Sequence, residues 1–189
     1  VLIMDEIQVG MGRTGKLFAH QWAEIEPDVM TLAKALGGGL PLGAMLAKEK
    51  YAETLGAGSH GSTFGGNPIS CRAALVTIDL LTGGLVKNAA VTGAYFKEEL
   101  VKMAGTHRLI GDVRGVGLMV AIELVTDREK KTKAVKERNR VVELAFRKGL
   151  LLLGCGENSV RFIPALTVSR KDIGIALSIL DEVLTEVEG

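Results

Sequence analysis

The amino-acid sequence predicts an α/β chain: a mostly parallel sheet with helices up to about residue 83, then a small α+β layer. Three observations predict it. Short apolar runs such as Val1-Leu2-Ile3-Met4 and Val29-Met30-Thr31-Leu32 are bounded by acids, glycines and Pro27, the pattern of strands buried in a parallel sheet. They alternate with helical segments and glycine loops, as parallel strands joined by crossovers do. After Gly83-Gly84 the order changes to helix, two strands, helix, two strands, helix. With 47% hydrophobic residues in 189, the chain can bury a sizeable core.

Each element has its own signal. The first strand is expected over Val1–Ile7, ending in Asp5 and Glu6, and is followed by a glycine loop from Gly10 to Gly15. Leu17 to Trp22 reads as a helical turn, Glu26-Pro27-Asp28 as a turn, and Val29–Leu32 as the next strand, leading to Lys34. Gly37 to Gly39 break the chain before a strand at Leu42–Ala47. Gly56 to Gly66 form a long polar loop containing His60-Gly61-Ser62-Thr63, and long loops inside compact domains usually carry function. Asn67-Pro68 is an N-cap with proline at the first helical position, opening a helix to about Leu81.

Gly83-Gly84 reads as a hinge between domains 1–83 and 84–189. Beyond it Ala89, Gly93, Phe96, Leu100 and Met103 recur at spacings of four and three, the stripe of an amphipathic helix stopped by Gly105. Leu109–Gly117 and Leu118–Val125 read as paired strands, and Asp127–Lys133 as a solvated charged loop. Val135–Lys148 is helical and closed by Gly149; Leu150–Leu153 and Val160–Ile163 are two further strands. Ser169 to Asp172 has the form of a capping box, opening a helix whose core face is Ile173, Leu177, Leu180, Leu184 and Val187.

The bulk properties exclude several classes. A net charge of +1 gives no electrostatic case for nucleic acid or an anionic membrane. The uninterrupted apolar runs are too short to span a bilayer. Cys71 and Cys155 have no framework spacing and no signal-peptide pattern is present, which favours the cytoplasm. They read as packing residues rather than nucleophiles. No metal-ligand spacing occurs. A strand that is apolar from its first residue expects neighbours on both sides, so a longer protein is expected with a first half preceding Val1.

The opening stretch, Val1 to Gly39, offers three chemistries. Gly10-x-Gly12-x-x-Gly15 matches a dinucleotide pattern, but the acids precede the glycines, and Lys34 has the wrong charge for a ribose hydroxyl. Gly10-x4-Gly15-Lys16 is one residue short of a nucleotide triphosphate loop, with Leu17 where a hydroxyl should bind magnesium. The third takes Asp5 and Lys34 together. A pyridine-based electron sink needs a carboxylate against its ring nitrogen and a lysine for covalent attachment. Asp5 ends a strand, and Lys34 lies between Ala33 and Ala35, where nothing bulky shields it. Taken singly, Asp5 is as readily a turn acid and Lys34 a surface lysine; their placement after successive strands is what argues for a site.

Four stretches carry a specific resemblance: LIMDEIQVGMGRTGKLFAHQ from Leu2, PDVMTLAKALGGGLPLGAMLA from Pro27, HGSTFGGNPISCRAAL from His60 and VRFIPALTVS from Val160. Together they resemble the class III (ω-type) aminotransferases, pyridoxal-phosphate enzymes of fold-type I. The resemblance implies the second half of the mostly parallel large-domain sheet in residues 1–83 and a small C-terminal α+β domain in 84–189. It implies that Asp5 partners the pyridine nitrogen, Gln8 bonds the phenolic oxygen and Lys34 is the Schiff-base lysine that also shuttles a proton. Ser62 and Thr63 would bind cofactor phosphate, Thr63 reaching the partner's cofactor in a homodimer, and Arg161 the substrate carboxylate. Arg13 and Lys16 read as loop-stabilising. The family's phosphate-cradling loop and its stacking aromatic would lie in the half preceding Val1.

The function expected is transamination of a 4-aminobutyrate-like ω-amino acid with a 2-oxo acid such as 2-oxoglutarate, because Gly154-Cys155-Gly156-Glu157-Asn158 before Arg161 resembles that branch. Acetylornithine or ornithine transamination and amino-acid racemisation are the enzymatic alternatives. A truncated, catalytically incomplete piece is the non-enzymatic one.

Overall fold

A computed structural model describes residues 1–189, which form two compact units, Val1–Lys87 and Asn88–Gly189. In the first unit, β1 (Ile3–Asp5) pairs in parallel with β2 (Val29–Leu32), and β2 pairs antiparallel with β3 (Ala44–Ala47). The sheet is therefore mixed. Between β2 and β3 lie only a helical turn at Lys34–Gly37 and a glycine turn, with no crossover helix of the length a parallel return needs. A short helix, α1 (Glu49–Ala52), follows β3 and was not foreseen. Strand β1 is shorter than the expected Val1–Ile7 because Leu2 spends its backbone on Asp28: its N–H donates to Oδ2 at 2.9 Å and its carbonyl accepts from Asp28 and Val29.

Helix α2 (Pro68–Leu80) starts as its sequence dictates, with Asn67 Oδ1 accepting from the N–H groups of Ile69 and Ser70 at 3.0 and 3.2 Å. A wide turn at Leu81–Leu85, kinked at Gly84 with φ 156°, joins it to α3 (Val86–Thr106). The resulting helical stretch, Pro68–Thr106, contains an 18-residue window of mean hydropathy 1.5 that is only 17% buried. By length and composition it could cross a membrane, which the uninterrupted apolar runs did not suggest. The open apolar side chains on α2 include Ile69, Leu75, Val76 and Leu80.

The second unit is a five-stranded antiparallel sheet under helices. Strands β4 (Ile110–Val116), β5 (Met119–Asp127), β8 (Ser159–Phe162) and β7 (Leu153–Cys155) are adjacent in that order, and β6 (Thr132–Lys133) pairs with β5. Val120, Ile122, Leu124, Val160 and Phe162 alternate onto one face and join Ala89, Phe96 and Leu100 of α3, Val141 and Leu144 of α4 (Val135–Arg147), and Ile173, Leu177, Leu180 and Leu184 of α5 (Arg170–Glu188) in a single core. Helix α5 begins with the anticipated reciprocal cap: Asp172 N–H donates to Ser169 Oγ at 3.2 Å, and Ser169 N–H donates to Asp172 Oδ2 at 3.0 Å.

Several boundaries differ from expectation: α3 runs through Gly105 to Thr106, and β3 begins at Ala44 rather than Leu42. Leu150–Leu153 is not a strand; β7 starts only at Leu153, because Leu150 is used to close α4. Its N–H donates to Ala145 O at 2.8 Å across Gly149, which sits at φ 88°, the left-handed helix stop. The Asp127–Lys133 stretch is not wholly loop. Asp127 Oδ1 accepts from the N–H groups of Glu129 and Lys130, and Lys131 turns at φ 53°, which folds Thr132-Lys133 back onto β5.

Candidate active site

In the first unit, the parallel register sets Asp5 beside Thr31, so β1 ends one residue before β2. Asp5 is the last residue of β1, and Lys34 opens the helical turn that follows β2. Topology therefore brings both to the carboxyl end of one parallel pair, the ligand-binding end of open α/β sheets. Asp5 Oδ1 accepts from Ile7 N–H at 2.9 Å, an Asx turn that bends the chain away from the strand toward Gln8. Lys34 adopts φ 46°, a left-handed conformation uncommon for a residue with a Cβ. Such strain is found at functional positions, and here it sits on the residue singled out for covalent chemistry. Behind it, Gly38 adopts φ 60°, and an added Cβ there would lie 2.5 Å from Thr77 Oγ1 on α2. The glycine turn lies against that helix.

The expectation of a buried first strand is not met in this chain. Ile3 is 61% exposed, and Asp5 and Lys34 are both exposed. The buried acid is Glu6, at 1% exposure. Its carboxylate accepts from the backbone N–H groups of Ala19 and His20 at 2.8 and 2.7 Å and lies 3.1 Å from His20 Nδ1. Burial of a carboxylate is tolerable only with donors of this kind. The signal was present: strand residues alternate faces, so an outward Asp5 implies an inward Glu6.

The glycine loop is pinned from the same side. Gly10 N–H donates to Glu6 O at 2.9 Å, and Met11, Gly12 and Gly15 all adopt positive φ. Lys16 does stabilise this region: Nζ donates to Gln21 O at 2.8 Å and stands 4.5 Å from the Trp22 ring centroid, while Trp22 Nε1 donates to Thr14 O. Burial lowers the pKa of the Arg13 guanidinium below its ordinary value. Ser62 and Thr63 lie in the exposed Gly56–Gly66 loop, where Ser62 O accepts from Gly65 N–H at 3.3 Å. Phe64 beside them is 81% exposed.

Arg161 belongs to the second unit. It sits at the centre of β8, opposite Ala121 on β5 and Leu153 on β7, and is half-buried. It lines a cavity of about 400 Å³ whose other walls include Phe96, Leu151, Leu153, Pro164 and Ile173. A guanidinium at the rim of apolar walls binds a carboxylate more strongly than one in open water. No group of three His, Cys, Asp or Glu side chains is placed to hold a metal ion.

The model of the family described as aminotransferase class-III matches residues 1–184. The chain is similar to the acetylornithine aminotransferase of Caldanaerobacter subterraneus subsp. tengcongensis, 41% identical over 99% of this chain and 45% of that protein. It is also similar to the leucine/methionine racemase of Thermococcus litoralis, 40% identical over 100% of this chain and 43% of that protein. Among solved structures, the ornithine aminotransferase of Toxoplasma gondii, crystallised with partial occupancy of PLP at its active site, superposes with a TM-score of 0.88. It is 33% identical, over 100% of this chain and 44% of that one. The chain spans a little under half the length of the curated relatives it matches.

Proposed function

Because this chain belongs to the class-III aminotransferase family, we propose that it carries the lysine and pyridine-nitrogen chemistry of a pyridoxal-phosphate-dependent transaminase acting on an acetylornithine-type amino donor. The observation that carries the reading is the placement of Asp5 and Lys34 at the carboxyl end of two adjacent parallel strands. The donor set fits the group: an accessible amine, an anion with one oxygen already oriented by a backbone N–H, and a glutamine shortly beyond it. When bound, pyridoxal phosphate supplies an electron sink that stabilises negative charge at the substrate carbon bearing the amine.

The chain's own residues divide the remaining work. Asp5 holds a proton on the ring nitrogen through a charge-assisted hydrogen bond. Gln8 bonds the ring oxygen, Lys34 attaches the group and carries the proton off the substrate carbon, and Ser62 and Thr63 hold phosphate, with Thr63 serving the partner of a homodimer. Arg161 takes the carboxylate of the amino donor and of the 2-oxo acid acceptor, 2-oxoglutarate. Residues 1–83 form part of the cofactor-binding domain and 84–189 the small domain. The reading is of a cytoplasmic enzyme.

The leaning toward 4-aminobutyrate, drawn from Gly154 to Asn158, finds no support among the relatives, whereas an acetylornithine aminotransferase at 41% identity favours the alternative. The Thermococcus racemase at 40% keeps racemisation as a second reading. Incubation with pyridoxal phosphate, borohydride reduction and peptide mapping should place the adduct on Lys34, and an adduct elsewhere would sink the assignment. In the full-length protein, N-acetylornithine should yield its semialdehyde faster than 4-aminobutyrate yields its own. Loss of optical activity from a single leucine enantiomer, without oxo acid, would instead establish the racemase.

A further inference from the structure

We propose that Glu6 is a positioning residue for Asp5, a clamp that fixes where the strand-end carboxylate meets the cofactor; this rests on the reading of Asp5 above. The need for a clamp is physical. Strand β1 has three residues, and its register with β2 runs only as far as Asp5 and Thr31. Asp5 is the last of those residues.

The next residue supplies what the strand lacks, from its backbone and side chain together. Glu6 N–H donates to Thr31 O at 3.1 Å, extending the ladder one step past Asp5. Its carbonyl accepts from Gly10 N–H and its carboxylate from Ala19 and His20, so three separated pieces of chain converge on one residue whose side chain has no solvent exposure. The fit is close: a Cβ at Gly10 would stand 2.7 Å from Glu6 O and 3.2 Å from Oε2. A strand presents successive side chains to opposite faces, so anchoring Glu6 inward leaves Asp5 one outward direction. A glutamine of the same shape would turn an NH₂ toward groups that are themselves donors, losing part of the clamp without changing volume.

The experiment uses the full-length protein that contains these 189 residues, with its Glu6→Gln and Glu6→Asp variants. Amide hydrogen exchange, read without cofactor, should rise about tenfold or more at Ile7, Gly10, Ala19 and His20 in Glu6→Gln, with residues 88–189 unchanged. Ile7 is the direct reporter, because its N–H donates to Asp5 Oδ1. Labelling of Lys34 by pyridoxal phosphate and borohydride should need about 10²-fold more cofactor, the scale on which small misplacements act. The pH midpoint of the bound cofactor's absorption band should also shift, which loosening remote from Asp5 would not cause. Glu6→Asp, keeping the charge on a shorter arm, should restore part of each effect. If Glu6→Gln leaves residues 1–87 unfolded, the same readings on Glu6→Asp decide the matter. Unchanged exchange at Ile7 overturns the proposal, as does faster exchange with wild-type labelling and band. A wild-type chain that never labels Lys34 refutes the proposed function alone, and exchange at Ile7 then decides whether Glu6 holds Asp5.

Discussion

Lys34 makes a backbone argument that its side chain does not. At φ 46° its Cβ crowds the following carbonyl, at a cost of roughly 1–2 kcal/mol for an L-residue. Glycine would occupy that conformation without the clash, although it loses more freedom on folding. Lys34→Gly is therefore expected to be more stable than Lys34→Ala by about 1 kcal/mol, read from urea midpoints at constant slope. Equal midpoints would mean that the turn relaxes and the strain is not held. Both variants should lose covalent capture of pyridoxal phosphate, since neither has an amine. At this scale the sequence was largely legible: Asp5 and Lys34 stand out by residue type, flanking residues and strand-end position. Glu6 was visible in the alternation but looked redundant beside Asp5, because only tertiary structure brings Ala19 and His20 to it.

Among the elements, the joints decide stability. Helix α3 crosses the β4–β5 turn so closely that a Cβ on Gly93 would overlap the carbonyl group of Gly117. Backbone on both sides leaves nothing flexible to yield, so Gly93→Ala should destabilise by about 2–3 kcal/mol despite alanine's better helix propensity. Thermal unfolding checks it, and an unchanged or raised midpoint would contradict the close approach. A second joint lies past the end of α3, where His107 is 5% exposed and reaches Asp181 Oδ1 through Nε2 at 2.8 Å and Glu188 Oε2 through Nδ1 at 3.0 Å. An imidazole bonded to a carboxylate at each nitrogen must be protonated to donate to both. Arg108 and Arg128 face the same joint but donate to backbone carbonyls, of Glu188 and of His107.

Burial opposes the charge on His107, yet the two carboxylates outweigh it and raise the pKa above 6.5. A raised folded pKa means the stabilisation is complete below about pH 6.5 and is lost as pH climbs through the folded value. Wild type should thus lose stability across that rise, and His107→Gln should remove the slope while lowering stability at pH 6. A slope that survives the substitution would place the titration elsewhere. Periodicity revealed the faces of α3 and α5 because core packing repeats with the helix. The Leu150–Leu153 error has the opposite origin: a leucine run carries the strand pattern, but hydrogen bonds that close α4 claim its first residue.

Over the whole chain, the two units differ in how they are held. The contiguous buried core, from Ala89 to Leu184, lies entirely in Asn88–Gly189. In Val1–Lys87 the buried apolar residues are Met11, Met30, Leu32, Leu36, Ala74 and Leu81, while Val1, Ile3, Met45, Leu46, Phe64, Ile69, Leu75 and Leu80 remain open. Hydrophobic stabilisation scales with apolar area removed from water, at about 25 cal/mol per Å², so in a chain of these 189 residues alone the first unit has less to set against its chain entropy. Its glycine loops add to that entropy, since glycine loses most freedom on ordering. Such a chain should open in parts. Limited trypsin digestion is expected to cut first within residues 1–87, where Lys48 precedes the short α1 and Lys50 lies in it, and to leave a resistant fragment beginning near Asn88. Mass spectrometry of the fragments, with circular dichroism of the survivor, reads the outcome. Simultaneous loss of both units would show that their stabilities are coupled. Pyridoxal phosphate sharpens the test: if it engages Lys34 and Asp5, saturating cofactor should slow cleavage in residues 1–87 and leave the survival of 88–189 as it was.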